Sequence, residues 1–336
     1  MAKKQTPKQF DPDRYEKLPY RRCGRSGLLL PAVSLGMWQS LGDKGNEQLC
    51  RRCVYWAFDH GVTHFDLANN YGDPPGNSET LFGRVLRDLP RDELIISTKA
   101  GFYMWPGPYG TGGSRKYLIA SVDQSLKRLG LDYVDIFYHH RPDPETPLVE
   151  TLGALDHIVR SGKALYAGVS NYKAPQFLDA IELVEQNALA SITIHQAKYN
   201  MLNRAYETDL FAHAAAGGTG VIVYSVLDKG MLSERYLEGV PKGSRLAKRG
   251  AAGREYYENL RATGKLERIG ELAELARSRG QSLSQMAITW ALRDERVTSV
   301  LVGVSSLDQL KENLAALDSA PLSGDELRRI DSVLGE

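Results

Sequence analysis

The chain has 336 residues, 42% of them hydrophobic and 25% charged, with a formal net charge of +1. That length suits a single α/β barrel with extra loops and is enough to bury a large core. So even a charge balance argues against nucleic acid or an anionic membrane surface as partner, and no run of about 18 apolar residues is present to span a bilayer.

Residues 1–17 are polar and charged and read as a flexible N-terminal tail, neither a signal peptide nor an anchor. Residues 18–336 read as one domain. Tyr20–Leu30, with Gly24-Arg25-Ser26-Gly27 at its turn, reads as a β-hairpin suited to plugging the bottom of a barrel. Short apolar, β-branched runs follow at Ala32–Leu35, His64–Leu67, Leu94–Thr98, Val134–Tyr138, Leu165–Val169, Ile192–Ala197, Val221–Ser225 and Ser299–Val302. Helical patterns separate them. Lys116–Leu129 carries Leu118, Ile119, Val122, Leu126 and Leu129 as a one-sided stripe, and Lys265–Arg279 does the same with Leu266, Ile269, Ala273 and Ala276. Thr146-Pro147 reads as a helix start. Eight strand–helix units predict an α/β fold, a (β/α)8 TIM barrel with parallel strands, an N-terminal β-hairpin and long loops at the C-terminal face. The open-sheet alternative calls for Gly-x-Gly-x-x-Gly between a strand and a helix, and the chain has none in that place.

The three cysteines, Cys23, Cys50 and Cys53, are too few and odd in number for a disulfide framework, which places the protein in a reducing, cytoplasmic compartment. Cys50 and Cys53 have metal-like spacing but lack a second Cys/His pair, and read as inert thiols.

In this fold the chemistry sits at the C-terminal ends of the strands. Those ends carry Asp66, Asn69, Asn70 and Tyr71, then Lys99, then His139, His140 and Arg141, then Ser170 and Asn171, His195 and Gln196, Tyr224 and Ser225, Gly303 and Ser305. Asp66, Tyr71, Lys99 and His140 form the candidate catalytic group. A tyrosine with a pKa of about 10 is a weak acid at neutral pH, and a nearby ammonium is expected to lower that value. A carboxylate would keep the ammonium aimed, and a histidine would orient a carbonyl oxygen. Together they would protonate the alkoxide formed when hydride attacks a carbonyl. With no covalent-catalysis motif and no complete metal set, the hydride must come from a cofactor. Each residue taken alone could equally be a structural ion pair or a satisfied core group.

The stretch Gly61-Val62-Thr63-His64-Phe65-Asp66-Leu67-Ala68-Asn69-Asn70-Tyr71-Gly72 resembles the signature of the aldo-keto reductase superfamily. Ser97-Thr98-Lys99 resembles its lysine strand, and Tyr133–Pro142 its histidine strand, whose histidine stands two residues before proline. That spacing selects His140 over His139, and strand alternation agrees that only one can face the site. The resemblance covers about residues 18–334. It implies that Ser170, Asn171 and Gln196 hold a nicotinamide carboxamide and that Tyr224 stacks under its ring. Trp38 and Asp66 also fall at cofactor positions. Ser225, Val226, Leu227 and Gly230 would follow the pyrophosphate, with Arg235 and Arg245 on the phosphates. Gly303, Ser305, Gln309, Glu312 and Asn313 would take the adenosine end. Trp38, Tyr71, Trp105, His140 and Arg141 are the substrate-facing candidates, with Arg141 as a hypothetical phosphate ligand. Tyr103–Gly110 and Lys163–Tyr166 look most like the bacterial L-glyceraldehyde 3-phosphate reductases, relatives of the voltage-gated potassium-channel β subunits. That likeness implies NADPH/NADP+, small aldehydes such as glyceraldehyde 3-phosphate and methylglyoxal, and a homo-oligomer.

One segment departs from the family. Where it usually has Ser-Pro-Leu-Ala-Gln-Gly, this chain has Ser225-Val226-Leu227-Asp228-Lys229-Gly230. From Lys229 to Lys265, nine Lys/Arg stand against four Glu in what reads as a long loop, an excess an anionic cofactor would satisfy. Arg245, Ser305 and Gln309 favour NADPH over NADH. Two rivals remain: a cofactor-binding module with little turnover, like the channel β subunits, and an unrelated barrel enzyme such as a phosphosugar isomerase.

Overall fold

Each apolar run becomes a strand, within two residues of its expected ends. The computed structural model describes residues 9–335. A hairpin of β1 (Tyr20–Arg22) and β2 (Leu29–Pro31) precedes eight strands: β3 (Val33–Gly36), β4 (His64–Asp66), β5 (Ile95–Ala100), β6 (Val134–His139), β7 (Ala164–Ser170), β8 (Ile192–Lys198), β9 (Gly220–Tyr224) and β10 (Val297–Val302). They close in the order β10-β3-β4-β5-β6-β7-β8-β9, and the registered pairs are parallel. Between β3 and β9 the crossovers run through α1 (Glu47–Asp59), α2 (Asn77–Leu86), α3 (Arg115–Leu129), α4 (Leu148–Arg160), α5 (Ala174–Gln186) and α6 (Leu210–Gly217). After β9 come α7 (Ala251–Ala262), α8 (Lys265–Ser278) and α9 (Leu283–Leu292), and after β10 come α10 (Leu307–Leu314) and α11 (Gly324–Leu334). This is a (β/α)8 TIM barrel with an N-terminal hairpin.

The chain forms two units. The first runs to Ala197 and takes in Ala205–Tyr224 and Arg296–Leu310; it contains the barrel. In its strands, side chains alternate between two environments. Phe65 packs outward on Phe82 of α2, ring centres 5.3 Å apart, while His64 and Asp66 point inward. Thr98 reaches outward to Glu79 of α2, whose buried carboxylate also takes the Arg128 Nε at 2.7 Å, so this pair anchors helices and is no part of the mouth.

The hairpin closes the lower end as expected. Cys23, Leu28 and Leu30 join Ile136, Tyr138, Ile194, Ile222 and Leu301 in one buried cluster. The Arg25 amide donates to Gly218 O, and the Arg21 guanidinium to Val297 O, both near strand beginnings. Gly24 turns there with φ of 56°, and a Cβ on it would lie 2.1 Å from Gly218 O. Higher in the barrel a Cβ at Gly168 would come within 2.5 Å of the Tyr138 ring, so glycine is what lets that ring fill the interior.

Of the expected tail, residues 1–8 lie outside the described residues. The rest lies against the barrel unit. Phe10 meets Phe58 edge-on at 4.8 Å, the Asp11 amide donates to Asp59 at 2.7 Å, Lys17 donates to Asp59 O, and Arg14 pairs with Glu93. Flexibility was expected here from polarity alone, which does not weigh aromatic contacts such as Phe10 on Phe58.

The second unit comprises Lys198–Arg204, Ser225–Glu295 and the chain from Lys311. Trp290, fully buried, has the Arg204 and Arg293 guanidinium groups 4.8 and 3.8 Å from its ring centre, and the Tyr199 ring 5.0 Å away. The expected long loop 229–265 is not loop throughout: it holds short 3-10 turns at Glu234–Tyr236 and Ala247–Arg249 and then α7. Gly250 and Gly264 bound that helix and supply its breaks.

Among the described residues, no helix is long and apolar enough to cross a membrane, and no group of three or more His, Cys, Asp or Glu is placed to hold a metal ion. All three cysteines are free and buried, and burial pushes the Cys23 and Cys53 thiols up to about 12 and about 11.

Candidate active site

Asp66 ends β4, Lys99 stands next to the end of β5, His140 follows β6, and Tyr71 lies five residues past Asp66. The barrel brings these groups together. The Lys99 ammonium is fully buried and donates to three acceptors: Asp66 Oδ2 at 2.5 Å, Leu67 O at 2.6 Å and the Tyr71 hydroxyl at 3.5 Å. An ammonium has three hydrogens, so each is accounted for. The Tyr71 oxygen therefore accepts, and its own O–H is free to point elsewhere. Asp66 Oδ1 takes two further donors, Ser97 Oγ at 2.6 Å and Gln196 Nε2 at 3.1 Å.

The electrostatics correct one expectation. Burial, with the Asp66 charge adding to it, holds the Tyr71 phenol well above its ordinary value, where a nearby ammonium was expected to lower it. Lys99 is held so close to Asp66 that its charge is largely answered there. Burial also lowers the lysine's own pKa, against the pull of Asp66. The resting phenol keeps its proton, and the ammonium lies within hydrogen-bond reach of its oxygen.

His140 is 7% exposed and belongs to the same group, its ring edge-on to Tyr71 at 5.8 Å and to Phe102 at 4.6 Å. Burial, then the charges of Lys99, His139 and Arg141, push it well below the ordinary histidine range, so the ring is neutral. Among the described residues its Nδ1 is buried without a partner. A lone pair is the cheaper group to leave there, which puts the single N–H at Nε2. His139 faces the other way: its Nδ1 meets the Tyr172 hydroxyl at 2.7 Å. His195 likewise turns outward to Tyr172 O at 3.0 Å, leaving Gln196 as the inward residue of that pair.

The neighbouring strand ends add a polar rim. Asn171, at φ of 63°, donates from Nδ2 to His140 O and Ser170 Oγ and accepts the Tyr224 hydroxyl at 2.7 Å. Ser170 donates to Gln196 O at 3.0 Å. This set of amide and hydroxyl groups has the donor and acceptor chemistry that a carboxamide requires. Trp38 is half-exposed, 6.2 Å from the Tyr71 ring. Trp105 packs on the Tyr117 ring, centres 5.1 Å apart. Arg141 donates to Gly101 O and Thr111 Oγ1 with its guanidinium 4.7 Å over the Phe102 ring. Phe102 was not read as a site residue. Its position three residues past Lys99 was the available signal.

Within the barrel unit Ser305 donates from its amide and hydroxyl to Gln309 Oε1, at 2.8 and 3.0 Å, and Gly303 is exposed. In the second unit, Val226 is buried, and Ser225, Asp228, Lys229 and Gly230 all have positive φ, at 57°, 39°, 60° and 94°. Asn200 Nδ2 holds Ser225 O at 2.8 Å, and Lys198 lies 3.9 Å from Asp228. Leu227 takes the amides of Gly230 and Leu232 on its carbonyl. Burial lowers the pKa of Arg245, and the charge of Arg235 pushes in the same direction. Two cations that repel each other, one of them half-buried, make a place where an anion is favoured. Asn313 is buried, and Glu312 is exposed with its carbonyl accepting from Gln285.

Comparison with known proteins agrees with this architecture. The profile of the aldo/keto reductase family matches residues 32–334. An L-glyceraldehyde 3-phosphate reductase of Escherichia coli K12 is 49% identical over 330 residues, spanning 97% of this chain and 95% of that protein. A putative voltage-gated potassium channel subunit beta of Schizosaccharomyces pombe is 34% identical over 325 residues, spanning 95% and 94%. A crystal structure of a thermostable aldo-keto reductase with the inhibitor epalrestat superposes with a TM-score of 0.74 at 30% identity, over 94% of this chain and all of that one. The chain belongs to the aldo/keto reductase family.

Proposed function

We propose that the protein is an NADPH-dependent reductase of small aldehydes, such as glyceraldehyde 3-phosphate and methylglyoxal, and that residues 18–336 act as one reductase domain. The observation that carries this reading is the Lys99 ammonium shared among Asp66, Leu67 and the Tyr71 hydroxyl beside a neutral His140. When bound, the nicotinamide cofactor supplies the hydride that reaches the carbonyl carbon. The protein's own groups handle the oxygen. His140 donates from Nε2 to orient it, and Tyr71 gives it the phenolic proton as charge develops. Lys99 stabilises the phenolate left behind, and Asp66 keeps Lys99 in place.

Ser170, Asn171 and Gln196 are assigned to the carboxamide, and Tyr224 to stacking on the ring. Ser225, Val226, Leu227, Gly230, Arg235 and Arg245 are assigned to the phosphates. Gly303, Ser305, Gln309, Glu312 and Asn313 are assigned to the adenosine end. Trp38, Trp105 and Arg141 are assigned to the substrate, with Arg141 answering a substrate phosphate. A small, phosphorylated aldehyde is supported by the 49% identity to a protein of that named activity. We read the protein as cytoplasmic and homo-oligomeric.

The test is an aldehyde panel assayed with NADPH, alongside Tyr71→Phe. Reduction falls at least about a hundredfold in the variant, the lower end for loss of a positioned acid, while cofactor binding persists. Activity persisting in that variant would remove Tyr71 from the acid role. Tight cofactor binding without turnover in the parent protein would favour a regulatory module instead.

A further inference from the structure

Below the catalytic carboxylate the barrel interior holds a row of polar side chains that the reduction itself does not use. Ser299 Oγ lies 2.7 Å from Ser34 Oγ, Ser34 Oγ 2.9 Å from His64 Nδ1, His64 Nε2 3.0 Å from Ser97 Oγ, and Ser97 Oγ 2.6 Å from Asp66 Oδ1. Ser34, His64, Ser97 and Ser299 are all completely buried. They come from β3, β4, β5 and β10, neighbours around the barrel wall. An interior of this fold is ordinarily filled by branched apolar side chains.

The direction of every bond follows from the carboxylate. Asp66 Oδ1 can only accept, so the Ser97 hydroxyl donates to it. The one Ser97 hydrogen is then spent, and the contact with His64 needs Nε2–H as donor. A neutral imidazole has one N–H, so Nδ1 must accept from Ser34. That spends the Ser34 hydrogen, and Ser299 donates to Ser34 in preference to its longer contact of 3.4 Å with Ala32 O. Neutrality is supported independently: burial pushes His64 down to about 4, with Asp66 opposing and Lys99 adding to the shift. Asp66 and Lys99 are the charged groups that bear on the ring. All four donors therefore point one way, toward the carboxylate that holds Lys99.

We propose that His64 is a positioning residue for the reduction: held as the neutral Nε2–H tautomer by Ser34, it fixes the Ser97 hydroxyl as a donor to Asp66 and so sets the carboxylate against Lys99. This rests on the reading of Asp66, Lys99 and Tyr71 as the reducing group. A hydroxyl without His64 can turn away from Asp66 and leave Oδ1 with Gln196 alone. Lys99 and Tyr71 then lose a fixed reference, although no residue that touches substrate has been replaced.

The test combines kinetics with imidazole nitrogen NMR on the full chain. His64→Leu lowers kcat roughly tenfold, the scale of one hydrogen bond to a charged group, with the aldehyde KM and the cofactor Kd within about twofold. His64→Gln, whose amide supplies one donor and one acceptor, keeps at least about half the parent kcat. Ser97→Ala loses as much as His64→Leu, and the double variant loses no more than either. With 15N-labelled histidine, the His64 signal reports Nε2–H and stays neutral down to about pH 4. Ser34→Ala mixes the tautomers in that signal. Multiplying losses in the double variant, an Nδ1–H signal, or titration of His64 near pH 6.5 would each overturn the proposal. Should His64→Leu not fold, Ser34→Ala and His64→Gln carry the same distinctions. If the parent protein reduces no aldehyde, the functional reading fails, while the NMR signal still decides the state of His64.

Discussion

The barrel mouth around Lys99 and the Ser225–Gly230 segment are built in opposite ways. At the mouth, Lys99 and Asp66 stand on strands whose backbone is fixed by parallel pairing, and specificity lies in side chains: each ammonium hydrogen has an acceptor and the carboxylate has donors on both oxygens. In Ser225–Gly230 the side chains matter less than the backbone. Three non-glycine residues there adopt left-handed φ, an arrangement that costs about 1 kcal/mol or more at each. The mouth stores its precision in charge and hydrogen bonds, whereas the segment stores it in conformation. A change of side-chain chemistry should ruin the first and barely touch the second, and a change of backbone preference should do the reverse.

The hardest push on that contrast is Lys99→Met. It leaves Asp66 buried beside an apolar group, and breaking such a pair costs about 3–5 kcal/mol of stability. On the proposed mechanism the same change removes the cation that stabilises the phenolate, so kcat falls by roughly a hundredfold or more. Urea unfolding and single-turnover reduction read the two effects separately. Loss of stability with kcat unchanged would make the pair structural only and erase the contrast.

The mouth's side chains were legible in the sequence for the same reason. Alternation along a strand places Asp66, Lys99 and His140 on the inner side, in agreement with the choice of His140 over His139 that the family resemblance supplies. The same rule places His64 two residues before Asp66 on that side, a signal present in the sequence and not used. The direction of the Tyr71 shift was not legible, because it depends on how completely Lys99 is answered by Asp66 and on burial, both three-dimensional quantities. Nor was the conformation of Ser225–Gly230. Ser, Asp and Lys can adopt left-handed φ but do not announce it. The helix α7 was hidden by its charge: Arg254, Glu255, Glu258 and Arg261 make a polar surface that resembles a loop until Leu260 is seen to be buried.

A smaller effect tests the second unit by charge. Arg245→Ala weakens NADPH binding about tenfold, the scale of one charge-assisted contact at a half-buried site, and changes NADH binding much less. Fluorescence titration with both cofactors gives the ratio. Equal weakening of the two would assign Arg245 to the shared pyrophosphate.

The smallest effect bears most directly on the contrast. Lys229 is exposed with φ of 60°, its neighbours Asp228 and Gly230 are also left-handed, and no side-chain hydrogen bond of Lys229 is recorded among the described residues. If conformation is what this segment stores, the lysine is under strain that glycine would not feel. Lys229→Gly then stabilises the protein by about 0.5–1 kcal/mol, the relief of a left-handed side chain less the entropy of a freer unfolded chain. Lys229→Val moves the other way, because a β-branched residue tolerates that region least. Urea unfolding at unchanged slope reads both. Opposite signs for the two variants mean that backbone preference governs the segment. Matching signs mean that the lost ammonium does, which would make the segment, like the mouth, a matter of charge.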